Sequence, residues 1–263
     1  MPYKFAYLYV AIALVVTIIG FWPSYFSIID DVPFAFHAHA FTATVWIVLV
    51  GFQSWSIHHR ARELHRKVGK LSLLLFPLLV ASFVMIINVS ASRFLKGDSQ
   101  FWQQIGPIIG YIMVTAISAY LVLFVQALRC RRNVHLHAGY MLATPFILWE
   151  AGFGRVLPQF TPSIEVLNSI IYSDIMAATL AIFLFLRNRK HGIPFLVAAI
   201  FLIAQIAGIY LLVDAQWLRD MFTSYAQLSQ EITIGTGLVL GLLAVWLGWT
   251  QPSGPKRVVL AGQ

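Results

Sequence analysis

Eight stretches of this chain are each apolar over about 20 residues, and that repetition limits the fold more than any single motif. A helix needs about 20 predominantly apolar residues to cross a hydrocarbon core of about 30 Å. The runs fall at residues 5–22, 37–57, 70–90, 105–128, 135–154, 167–186, 193–213 and 232–250. Backbone polar groups find no water in that core, so all eight are expected to be helices. Only 11% of the residues are charged, against about 25% in a soluble domain. The expected object is therefore all-α: one polytopic transmembrane helix bundle over residues 1–263, with no separate soluble domain. Lys4 followed by an apolar run resembles a signal peptide in outline. The run is long, however, and no small-x-small cleavage site precedes Trp22-Pro23, so it reads as a retained first span.

The loops set the expected orientation. Lys4, Arg60, Arg62, Arg66, Lys67, Lys70, Arg129, Arg131, Arg132, Arg187, Arg189, Lys190, Lys256 and Arg257 fall on one side. Arg93, Lys96, Arg155 and Arg219 fall on the other, with most of the acidic residues. Cytoplasmic loops carry the excess of Lys and Arg, which places both termini in the cytoplasm. The same placement explains the net charge of +8 without nucleic acid; the partner it implies is the lipid bilayer. Gly237 and Gly241, four apart in the last run, allow close helix approach, either within the chain or in a homo-oligomer or membrane complex. Cys130 is the only cysteine, so no disulfide framework exists. It sits among Arg129, Arg131 and Arg132, cations of the kind that lower a thiol pKa, yet it reads as an idle thiol.

Polar groups inside the spans point to function, because each is costly in hydrocarbon. His39, Trp46 and Gln53 are seven apart, drift only about 20° per step and so share one helix face. Glu150 and Asp174 lie within spans five and six, and an unpaired carboxylate there costs about 2.5 kcal/mol or more. They are expected to be paired or protonated, with Arg155 as one available partner. This gives an outer polar cluster of His39, Glu150, Arg155 and Asp174. Six of the eight histidines collect at the basic side: His58, His59, His65, His135, His137 and His191. Neutral imidazole is the commonest metal ligand. His65 and His137, with His135 and then His191 behind them, are therefore candidate ligands for a transition metal ion or one b-type haem, beside Gln53. His58 and His59 are adjacent, so they diverge on a helix and rank lowest. Gln205 reads as interhelical packing glue. The chain has no helical HExxH, no Walker loop and no GxGxxG fingerprint.

His39, Trp46 and Gln53, followed by His65-Arg66 and Gly69, resemble the H-x6-W-x6-Q and H-R-x-x-G pattern of a poorly characterised family of bacterial polytopic inner-membrane proteins. His137-x-x-x-Met141-Leu142-Ala143-Thr144, closing at Gly154-Arg155, is similar to a second motif of that family. In it, Ala138-Gly139-Tyr140 replaces a usually basic region. Asp174, the turn from Arg187 to Pro194 and Gln205 also look like family positions, so the resemblance covers about residues 37–217. It implies a multi-pass protein of the bacterial inner membrane and marks His39, Gln53, His65, His137, Arg155 and Asp174. It implies no settled activity. Three readings stay open: metal- or haem-linked redox or other chemistry on a lipid-soluble substrate, a proton-linked solute transporter using Asp174 and Glu150, and a non-catalytic scaffold or accessory subunit.

Overall fold

The computed structural model describes residues 2–251, and these form helices and turns with no strand. The helices are α1 (Ala6–Phe21), α2 (Phe34–His58), α3 (Arg62–Gly69), α4 (Leu71–Lys96) and α5 (Gln100–Arg129). Then come α6 (Val134–Phe160), α7 (Val166–Arg187), α8 (Ile193–Leu212), α9 (Gln216–Ala226) and α10 (Gln230–Thr250). A 3-10 turn at Phe26–Asp31 joins α1 to α2. Each of the eight apolar runs is a helix. Among the described residues, six helices are long and apolar enough to cross a membrane: α2, α4, α5, α7, α8 and α10. The other two runs differ for separate reasons. Helix α1 has 16 residues, about 24 Å at 1.5 Å per residue. Helix α6 has 27 but carries His135, His137, Glu150 and Arg155.

Long helices α5 and α6 run through the middle. Helices α1, α2 and α4 pack on one side of them and α7 and α8 on the other, while α10 lies against α4 and α5. His58 Nε2 meets the carbonyl of Pro2 at 3.1 Å, and Arg129 Nε donates to the carbonyl of Gln251 at 3.3 Å. These contacts put the start of α1 and the end of α10 at the same end of the bundle, together with α3 and the 130–133 turn. We call this the basic end. Lys256 and Arg257, counted with it above, lie outside the described residues.

Between helices in lipid there is little hydrophobic drive, so close packing and buried hydrogen bonds hold the bundle. The core centres on Trp46, Phe76, Phe83, Tyr120 and Phe124, all essentially inaccessible. Phe76 and Phe124 stack at 4.0 Å, with the Trp46 ring 5.5 and 5.3 Å from them. At the far end, Asn88 Nδ2 donates to Thr233 Oγ1 (2.9 Å) and Tyr225 Oη donates to Asn88 Oδ1 (2.6 Å), tying α4, α9 and α10 together.

Gly237 and Gly241 face α4 in the same chain. A Cβ on Gly241 would lie 2.5 Å from Pro77 Cα, whereas one on Gly235 meets nothing within 4 Å. Gly241→Ala should therefore force α10 off α4 and cost about 1–3 kcal/mol as an overpacking change. Gly235→Ala should be neutral or stabilise by up to about 1 kcal/mol, because it only removes backbone freedom. Thermal unfolding of the two variants in detergent checks this, and equal midpoints would refute the packing assignment.

Candidate functional site

The face shared by His39, Trp46 and Gln53 turns into the bundle, and each residue meets a different neighbour. Trp46 Nε1 donates to Thr144 Oγ1 at 2.9 Å, and Thr144 in turn donates to the carbonyl of Met141. This bond joins α2 to α6 across the centre of the core. His39 Nδ1 lies 3.2 Å from Ser82 Oγ, and its ring packs on Phe83 at 4.5 Å. Ser82 Oγ is also 2.8 Å from Thr42 Oγ1 and donates to the carbonyl of Leu79. Gln53 has its whole amide buried, close to Gly69 at the base of α4.

The outer cluster forms a line rather than a knot. Asp174 is fully buried, and its Oδ2 accepts from Gln205 Nε2 at 2.8 Å, while Oδ1 is buried without a partner among the described residues. Gln205 is thus the neutral partner of a buried acid, more than the packing glue expected of it. Glu150 is 7% exposed and lies within Coulomb range of both Asp174 and Arg155, and Arg155 within that of His39. The one salt bridge among the described residues is Lys67 Nζ to Glu63 Oε1 at 2.8 Å, on the exposed face of α3. Arg155 therefore does not neutralise either acid by contact. Instead it lies exposed at the far end of α6, donating from Nη1 to the carbonyl of Ala151 (2.6 Å) with its guanidinium 4.2 Å from the Phe21 ring. A long cationic side chain reaches outward from a span end in this way while its stem covers apolar surface.

At the basic end the structure separates the candidate ligands. His137 Nδ1 meets the carbonyl of Ala127 at 2.8 Å, which fixes Nδ1 as the protonated nitrogen and leaves Nε2 with its lone pair. The His65 ring lies against the Gln53 backbone and within Coulomb range of His137. Gln53 Nε2 and Oε1, Ser54 Oγ and His65 Nδ1 are all buried without partners among the described residues. His135 is not brought to this group. It is exposed and stacks on His191 at 4.4 Å. Two apart on a helix means about 200° apart, so only one of His135 and His137 turns inward. Burial, then His135 and Lys190, hold the His191 imidazole below its usual range. Among the described residues no three His, Cys, Asp or Glu side chains come together at metal-binding spacing. His58 and His59 bond back to carbonyls of their own helix, Ser54 and Trp55.

Cys130 turns into the core rather than toward the arginines. Burial pushes the thiol pKa up and outweighs the opposing pull of Arg129.

Ser82 belongs to the buried polar system and was not singled out from sequence, where Thr144 was marked only as part of a motif. Threonine and serine inside apolar runs look like filler. Only matched depth on facing helices would reveal them. No family model, no curated protein and no solved structure matches the chain.

Proposed function

We propose that the chain is an eight-span protein of the bacterial inner membrane, with both termini cytoplasmic, that moves a small solute together with a proton. Asp174 and Glu150 carry the proton. The observation that carries this reading is Asp174: fully buried, bonded at one oxygen to a neutral amide, its other oxygen without a partner. Ionisable side chains inside spans are costly, usually pair with other polar groups, and mark substrate, ion or proton pathways. Glu150 on the neighbouring α6 gives the proton a second station, and Arg155 and His39 extend the line toward the far end. The orientation rests on the bias of basic residues toward the end that holds α3 and the 130–133 turn. The test is proteoliposomes loaded with a pH-sensitive dye. An imposed pH gradient should drive internal acidification that depends on Asp174. Acidification no faster than in empty liposomes, across a panel of small solutes, defeats the reading.

A second reading is favoured by one observation at the basic end: the Ala127 carbonyl holds the Nδ1 proton of His137, which leaves Nε2 as a ligand atom within Coulomb range of His65. There a transition metal ion or one b-type haem would be held by His65 and His137 and serve redox chemistry. The protonated Nδ1 on a backbone carbonyl is the usual support of a metal-binding histidine. Purified protein should then contain stoichiometric metal or a Soret band, lost in His65→Ala and His137→Ala but retained in His135→Ala. A colourless, metal-free protein with native size-exclusion behaviour removes this alternative.

A further inference from the structure

A half-open cavity of about 100 Å³ lies between α1, α2 and α6. Its walls are apolar, with Phe21, Ala43, Leu148 and Ala151 among them, and its polar groups include Tyr25 and His39. The alanines leave the space; a larger side chain at either position would fill it. His39 is held on the wall by Ser82 at one ring nitrogen and by the Phe83 ring. Tyr25 is engaged by His37 Nδ1 at 2.8 Å. Arg155 does not line the cavity but packs beside it, its guanidinium 4.2 Å from the ring of the lining residue Phe21 and bonded to the carbonyl of the lining residue Ala151.

We infer that this cavity is the solute site and that its solute is a short-chain monocarboxylate. The inference rests on the proton-linked reading given above and adds the chemical class of the substrate. Three observations select it. The first is charge: Arg155 is a cation without a carboxylate in contact, and a guanidinium binds a carboxylate through two parallel N–H donors. The second is lining: the walls are mostly methyl and aromatic surface, with His39, Tyr25, Thr17 and Thr44 as the polar residues, which suits an alkyl tail and disfavours sugars or dicarboxylates. The third is size. A cavity of about 150 Å³ takes the six carbons of benzene, so about 100 Å³ holds a chain of about four carbons. One proton travelling with each carboxylate makes the transported pair electrically neutral. Of the titratable groups, His39 and Tyr25 line the cavity and Arg155 contacts its lining residues Phe21 and Ala151; Glu150 lies outside it on α6, and Asp174 one helix further away, on α7.

Equilibrium binding of radiolabelled butyrate to the full chain in nanodiscs tests this. The wild type should bind saturably. Arg155→Gln should weaken binding at least tenfold, and Ala43→Leu, which fills the cavity without touching a charge, should do the same. Arg219→Gln, a far-end arginine on α9, should bind as the wild type does. Acetate and butyrate should compete for the site, whereas succinate should not. Size-exclusion profiles identify any variant that fails to fold, and Ala43→Leu keeps the test decisive if Arg155→Gln is such a case. No saturable butyrate binding, or binding indifferent to both Arg155→Gln and Ala43→Leu, overturns the inference. If butyrate fails to bind while Asp174-dependent acidification persists, the substrate is wrong and the proton pathway stands. Butyrate binding without Asp174-dependent acidification supports the site and removes the proton pathway.

Discussion

Asp174→Asn should lower proton-linked uptake in proteoliposomes by about a hundredfold, the low end of what removing a positioned proton-transfer group does, while leaving the fold intact. The two effects separate because the amide is nearly isosteric with the acid. Its oxygen still accepts from Gln205 Nε2, so the α7–α8 contact survives, but it has no titratable proton to exchange. Glu150→Gln should also slow uptake, because it removes the second station of the same line. The reciprocal change, Gln205→Leu, works in the opposite sense. It leaves Asp174 with no partner at either oxygen, and an unpaired acid at mid-helix costs about 2.5–3.5 kcal/mol on insertion scales. That variant should fold poorly before transport is measured. Dye-reported acidification and detergent melting curves, recorded on the same preparations, distinguish the pair. If Asp174→Asn transports normally, Asp174 is a packing residue.

Trp46→Ala should be the most destabilising single change in the bundle, at about 3–5 kcal/mol for deletion of a buried large aromatic. Trp46 is inaccessible to solvent and touches the rings of Phe76, Tyr120 and Phe124, so its removal leaves a void bounded by stiff groups that cannot collapse. It also removes the indole bond to Thr144. Trp46→Phe separates these contributions. It keeps most of the packing and loses the indole N–H, so it should cost only about 0.6 kcal/mol, a typical interhelical hydrogen bond in a membrane. Thr144 keeps its own bond to the Met141 carbonyl, which limits the damage. Unfolding in mixed detergent micelles gives both values. Similar losses in the two variants would shift the weight from packing to the hydrogen bond.

Much of this was legible in the sequence because two periodicities are strong there. Apolar runs of about 20 residues locate eight helices, and the heptad spacing of His39, Trp46 and Gln53 shows which side of α2 faces inward. Depth was legible too, though less obviously. Asp174 is eight residues into α7, about 12 Å, and Gln205 is seven residues from the end of α8, about 10 Å. Consecutive antiparallel helices bring such positions level, so their bond follows from counting. What the sequence concealed are contacts between helices distant in the chain. Ser82 beside His39 and Thr144 beside Trp46 depend on which helices are neighbours, and hydropathy carries no information about that. The direction of a terminal side chain was hidden for a related reason. Cys130 and His135 occupy turn positions where a rotation of one residue decides between core and surface, as the inward thiol and the outward His135–His191 stack show.

The packing of α1 has a consequence in time. Its Gly20 lies directly against the backbone of Gly152 on α6, a partner that begins at Val134. At about 5–20 residues per second of synthesis, α1 waits about 6 to 23 seconds for that partner after it leaves the ribosome. Over that interval this short helix has only α2 for company, and the glycine notch meant for α6 faces lipid or the insertion machinery. A cell making this protein must shelter α1 until the middle of the chain arrives. A nascent chain halted before α6 should therefore expose Gly20 to crosslinkers that the finished protein excludes.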